Sequence, residues 1–89
     1  MIITITKVSK TLEWAKNIME LTDKEIAKEI KSGYTYLYVY SVYPRGGGDD
    51  RIEAQFFNKE IPVDILPKFF SNSKIKGQLY GPICEIKIN

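Results

Sequence analysis

Tyr34-Thr35-Tyr36-Leu37-Tyr38-Val39-Tyr40-Ser41-Val42-Tyr43 is the stretch whose reading decides the fold, and it holds five of the six tyrosines of the chain. β-Branched and aromatic residues dominate it, which predicts a strand. A strand sends successive side chains to opposite faces. Tyr34, Tyr36, Tyr38, Tyr40 and Val42 therefore share one face, and Thr35, Leu37, Val39, Ser41 and Tyr43 share the other. Both faces are too apolar to be left to water. Helices of the same domain should cover one, and something else should cover the other.

After this strand, Pro44 cannot donate to a ladder and ends it. Arg45-Gly46-Gly47-Gly48-Asp49-Asp50 reads as a flexible hairpin tip, and Arg51 to Asn58 as the return strand, with Ile52, Ala54 and Phe56 on one face and Arg51, Glu53, Gln55 and Phe57 on the other. Ile61 to Ser71 reads as a short helix with Pro62 near its first position. Gly77 to Asn89 is a final strand, bulged at Gly81-Pro82, in which Cys84, Ile86 and Ile88 alternate with Glu85 and Lys87.

Before it, Ile2 to Val8 alternates as a first strand. Ser9 to Leu21 reads as a helix with Leu12, Ala15, Ile18 and Met19 at helical spacing and Trp14 beside that stripe. Thr22 and Glu25 have capping-box spacing, so a second helix starts there, or one long helix kinks. Gly33 is its stop.

The order strand, helix, strand, strand, helix, strand predicts an α+β two-layer sandwich over residues 1–89, with a four-stranded, mainly antiparallel sheet. It is compatible with a ferredoxin-like split βαβ arrangement. The crossover rule then expects the first two strands to run parallel, one on each side of the first helix.

The composition bounds the function. The chain has 89 residues, 44% of them hydrophobic, and a net charge of +2. That describes one folded domain, not a disordered chain. No apolar run approaches the ~20 residues of a membrane helix, and Met1 to Thr6 lacks the form of a signal peptide. A single cysteine, Cys84, excludes an internal disulfide and fits a reducing compartment such as the cytoplasm. The load of isoleucine, lysine and tyrosine fits a low-GC coding sequence and would suit a thermophile, a virus or a mobile element. Lysines and acids are interspersed, so no basic stripe marks a nucleic-acid site.

Histidine is absent, which removes the commonest general base and metal ligand. Cys84 lies on an apolar strand face, where a thiol is inert. Asp49, Asp50 and Glu53 offer oxygens to a hard cation, but without EF-hand spacing, and acids at a glycine-rich turn ordinarily serve the turn. Glu85-Ile86-Lys87 has the glutamate-x-lysine form found in metal-dependent nucleases. Its required aspartate has no obvious source, since Asp64 falls at a helix start and Asp50 in a loop. Gly46-Gly47-Gly48 lacks the lysine-serine/threonine ending of a phosphate loop. Thr22 to Ile30 looks like the first helix of a helix-turn-helix, but the recognition helix does not follow.

The tyrosine face is the feature least explained by solubility or turn chemistry. It can be core, a protein interface, or a platform that stacks bases. The sequence therefore predicts a small non-enzymatic interaction protein (oligomer, inhibitor or adaptor) that needs no cofactor or metal. It would bind a protein partner or itself as a homodimer, through Tyr36, Tyr38, Tyr40 and Phe57 with Arg45 and Arg51 at the tip. The alternative is a nucleic-acid-binding module using the same tyrosines and scattered lysines. A small metal-dependent enzyme, suggested by the carboxylates alone, stands third.

Overall fold

The computed structural model of the chain describes residues 6–44, 49, 51–62, 64, 65 and 77–89. In chain order these form β1 (Lys7–Ser9), α1 (Leu12–Met19), α2 (Asp23–Lys31), β2 (Tyr36–Pro44), β3 (Arg51–Phe57) and β4 (Gly77–Lys87). The architecture is α+β. The expected helix over 61–71 lies outside the described residues except at Ile61, Pro62, Asp64 and Ile65, where the Ile65 amide closes a turn onto the Pro62 carbonyl at 3.0 Å. The expected strand over Ile2 to Val8 is described only from its C-terminal end, as β1.

The capping signals place two helices, not one kinked helix. Thr11 caps α1, its hydroxyl accepting from the Trp14 amide at 3.2 Å. Glu20 then takes a left-handed conformation at φ 54°, which breaks the helix. Thr22 caps α2 by accepting from the Glu25 amide at 3.2 Å, while its own hydroxyl donates to the Glu25 carboxylate at 3.0 Å. Past the end of α2, Gly33 sits at φ 103°. A Cβ there would meet no neighbour within 4 Å, so the backbone angle alone calls for glycine.

The four strands form one sheet in the order β1-β4-β2-β3. β2 and β3 pair antiparallel from Tyr36↔Phe57 to Val42↔Arg51, which is the expected hairpin. β2 and β4 also pair antiparallel, while β1 and β4 pair parallel, from Lys7↔Ile83 to Ser9↔Glu85. The sheet is therefore mixed, which corrects the mainly antiparallel expectation. β4 also lies between β1 and β2 and runs against β2, so β1 and β2 are antiparallel to each other, not parallel. This order leaves the ferredoxin-like arrangement without support. The register of β2 against β4 shifts between Val39↔Cys84 and Ser41↔Tyr80. Two extra β4 residues are accommodated there, around Gly81-Pro82, because proline brings no amide to the ladder.

Two hydrophobic clusters sandwich β2. On one side Ala15, Leu37, Val39, Cys84, Ile86 and Ile88 are buried, with Leu12, Met19, Leu21 and Ile30 of the helical region packed against them. On the other, Tyr38, Tyr40, Val42, Ile61 and Ile83 are buried, with Tyr36 and Phe57 against them. α1 and α2 thus cover the Leu37–Val39 face. Ile18, expected in the buried stripe of α1, is 44% exposed.

Candidate interaction surface

The structure places Tyr36, Tyr38 and Tyr40 on the face away from the helices, as alternation demands, but does not leave Tyr38 and Tyr40 open; Tyr34, expected on that face, precedes the first residue of β2 and packs with the helix-side cluster instead. Tyr38 is fully buried and Tyr40 is 2% exposed. Both rings therefore sit inside this chain, which corrects the expectation that they lie on an uncovered sheet face. The reason is that the chain returns across this face after β3 and seats Ile61 against the rings.

The hydroxyl groups have partners. The Tyr38 hydroxyl donates to Glu85 Oε2 at 2.8 Å and accepts from the Ile61 amide at 2.9 Å. Gln55 Nε2 donates to the Tyr40 hydroxyl at 3.0 Å. Burial pushes the Tyr38 phenol well above its ordinary range, opposed by the Ile61 amide and reinforced by the Glu85 carboxylate. Burial also pushes Tyr40 up to about 12, with the Gln55 hydrogen bond working against it.

Lys7 completes this network and was not singled out in the sequence. Its Nζ lies 3.0 Å from Glu85 Oε2 and 3.1 Å from Glu60 Oε1, and donates to the Ile61 carbonyl at 3.2 Å. Burial pulls its pKa down, but the hydrogen bonds to Glu85 and Glu60 outweigh that and raise it overall. A signal was present: Glu85 alternates with Cys84 and Ile86, so it must share the tyrosine face. Glu85 is the anchor of a partly buried cluster.

The remaining predicted contacts separate. Tyr36 and Phe57 stand opposite each other in register and are half-buried. The Tyr36 ring lies nearly parallel to Tyr38 at 6.3 Å, and Phe57 meets Tyr38 edge-on at 5.4 Å. Arg51 is exposed at the start of β3, its Nε 2.8 Å from Glu53 Oε1. Arg45 and most of the expected tip lie outside the described residues, and Asp49 is exposed.

An open apolar groove of about 130 Å³ lies between α1 and the sheet. Trp14 and Ile18 line it from α1, Val39, Tyr40 and Ser41 from β2, Ile52 from β3, and Pro82 and Cys84 from β4. Ile52 is 51% exposed. The Lys10 ammonium stands 5.4 Å from the Trp14 ring centre, a cation–π contact at the rim. Cys84 is buried at the floor, and burial raises its pKa despite Lys10 nearby, which keeps the thiol protonated.

The chemical alternatives find little here. Glu85 is engaged by Tyr38 and Lys7, while Lys87 and Asp64 are exposed. Among the described residues no three His, Cys, Asp or Glu side chains stand together as a metal site. α2 leads into β2, not into a second DNA-reading helix. None of the described helices is long and apolar enough to cross a membrane. No protein-family model matches the chain, nor does any curated protein or any solved structure.

Proposed function

We propose that the chain is a small non-enzymatic interaction protein, working in a reducing compartment such as the cytoplasm, that binds a protein partner or a second copy of itself. The observation that carries this reading is the open groove beside the sheet edge. Large apolar side chains at Ile18 and Ile52 remain about half exposed around it, 44% and 51%. Contiguous apolar surface of this kind marks contact sites more often than isolated exposed residues do. Trp14 supplies an aromatic wall and Lys10 a polar rim, the composition of an interface centre and its border. Tyr36 and Phe57 add half-buried aromatic edges on the opposite face.

The nucleic-acid reading loses its main support with Tyr38 and Tyr40 buried, because base stacking needs accessible ring faces. The two readings separate by salt. Phosphate-driven binding falls steeply as salt rises, whereas apolar contact hardly responds. The direct test is Ile18→Ser, with solution mass, partner affinity and far-UV dichroism measured together. Binding or self-association should weaken severalfold at an unchanged fold. A folded variant with unaltered assembly and affinity would sink the groove as the contact surface.

A further inference from the structure

β3 lies at one end of the sheet, with β2 as its paired neighbour among the described strands. Sheet edges are usually blunted by lysine, proline or a bulge, because their backbone groups can template another strand. Arg51–Phe57 contains no lysine, proline or glycine, and its register with β2 runs unshifted along its length. The end of this strand is also self-complementary in charge. Arg51 and Glu53 flank Ile52 and share the face of Val42 and Tyr40, while Ile52 points to the helix side and is 51% exposed.

We propose that Arg51–Glu53 pairs antiparallel with the same segment of a second copy of this chain, about a two-fold axis through Ile52. This rests on the interaction reading above and names the partner. In this register Arg51 of each copy stands opposite Glu53 of the other, with Cβ atoms ~4.5–5.5 Å apart. Registers centred one residue away set Glu53 against Glu53 or Arg51 against Arg51, so charge selects the Ile52 centre. The existing 2.8 Å contact between Arg51 and Glu53 shows both charged ends projecting together at the strand end, ready to form a four-charge cluster across the axis. A two-fold axis normal to the sheet keeps helix side with helix side. Ile52 then packs on Ile52 of the second copy, and the two grooves meet along the junction. The result is one continuous eight-stranded sheet with the exposed isoleucines covered.

The test is a charge-reversal pair on the full chain, read by sedimentation equilibrium over a range of concentrations. The wild type should dimerise. Arg51→Glu and Glu53→Arg should each weaken self-association by about tenfold or more, because each sets like charges across the axis. An equimolar mixture should regain wild-type association, since the two acids of the Arg51→Glu chain then face the two arginines of the Glu53→Arg chain. Wild-type protein that stays at monomer mass at its highest soluble concentration overturns the proposal, and so does capture of a foreign strand by monomeric protein at this edge. A dimer that neither reversal weakens, or a mixture without rescue, overturns the β3 site while leaving the interaction reading to the Ile18 test. Far-UV dichroism confirms folding. Should a reversal unfold the chain, Ile52→Cys decides: mild oxidation links two copies through position 52, and folded protein that resists linkage overturns the register.

Discussion

The two faces of β2 are buried by different means. Leu37 and Val39 lie beneath α1 and α2 against aliphatic neighbours and Ala15, and neither brings a polar side-chain atom into the core. Tyr38 and Tyr40 lie against Ile61 and Ile83, and their hydroxyls are bonded to Glu85, the Ile61 amide and Gln55. The aliphatic face needs only shape and area. The tyrosine face needs shape and polar partners, because a buried hydroxyl without one costs free energy. An aliphatic cover can slide, whereas Tyr38 pins the return of the chain at one amide.

The largest expected effect comes from emptying each face in turn. Tyr38→Ala should cost about 3–5 kcal/mol of unfolding free energy and Leu37→Ala about 2–5, measured by urea denaturation. Leu37→Ala should leave Ile61 docked, while Tyr38→Ala should release it, seen as faster amide exchange at Ile61. Equal protection of the Ile61 amide in both variants would erase the distinction between the faces.

A smaller effect isolates the hydroxyl. Tyr38→Phe keeps the ring and leaves the Ile61 amide without its acceptor, which should cost about 1–3 kcal/mol. Glu85 keeps Lys7 in that variant. A neutral Tyr38→Phe would mean that the polar tie adds nothing to the packing of the ring.

The smallest effect is a pH slope. Tyr40 titrates near 12 in the folded protein against ~10 unfolded, so folding favours its protonated form. That stability is fully present below pH ~10 and is lost as pH rises toward 12, because there the unfolded chain gives up the proton first. Lys7, also raised, adds a loss in the same direction. Denaturant midpoints should therefore stay flat to pH ~10 and then fall, and Tyr40→Phe should flatten part of the fall. An identical alkaline slope in that variant would remove Tyr40 from the account.

Much of this was legible in the residues themselves, because the signals are local. The Thr22–Glu25 box, the stop at Gly33, the β2·β3 hairpin and the break at Gly81-Pro82 each depend on a few neighbouring residues and their backbone preferences. Alternation along β2 also named which side chains travel together, Leu37 with Val39 and Tyr38 with Tyr40. The candidate site was less legible. Ile18 carries the spacing of a core residue, and only the packing of the folded chain shows that it is exposed beside the groove.

Sequence alone thus determined the start of α2, the β2·β3 pair and the partition of β2 into two apolar faces. Tertiary structure alone decided that β4 inserts between β1 and β2, that the sheet is mixed, and that the tyrosine face closes over Ile61. The physical reason is range. A strand pattern states that a face must be buried, but not by what, and strand order depends on pairings between segments far apart in the chain. Lys7 and Glu85 meet only because β1 and β4 lie side by side, and no local rule in either segment names the other.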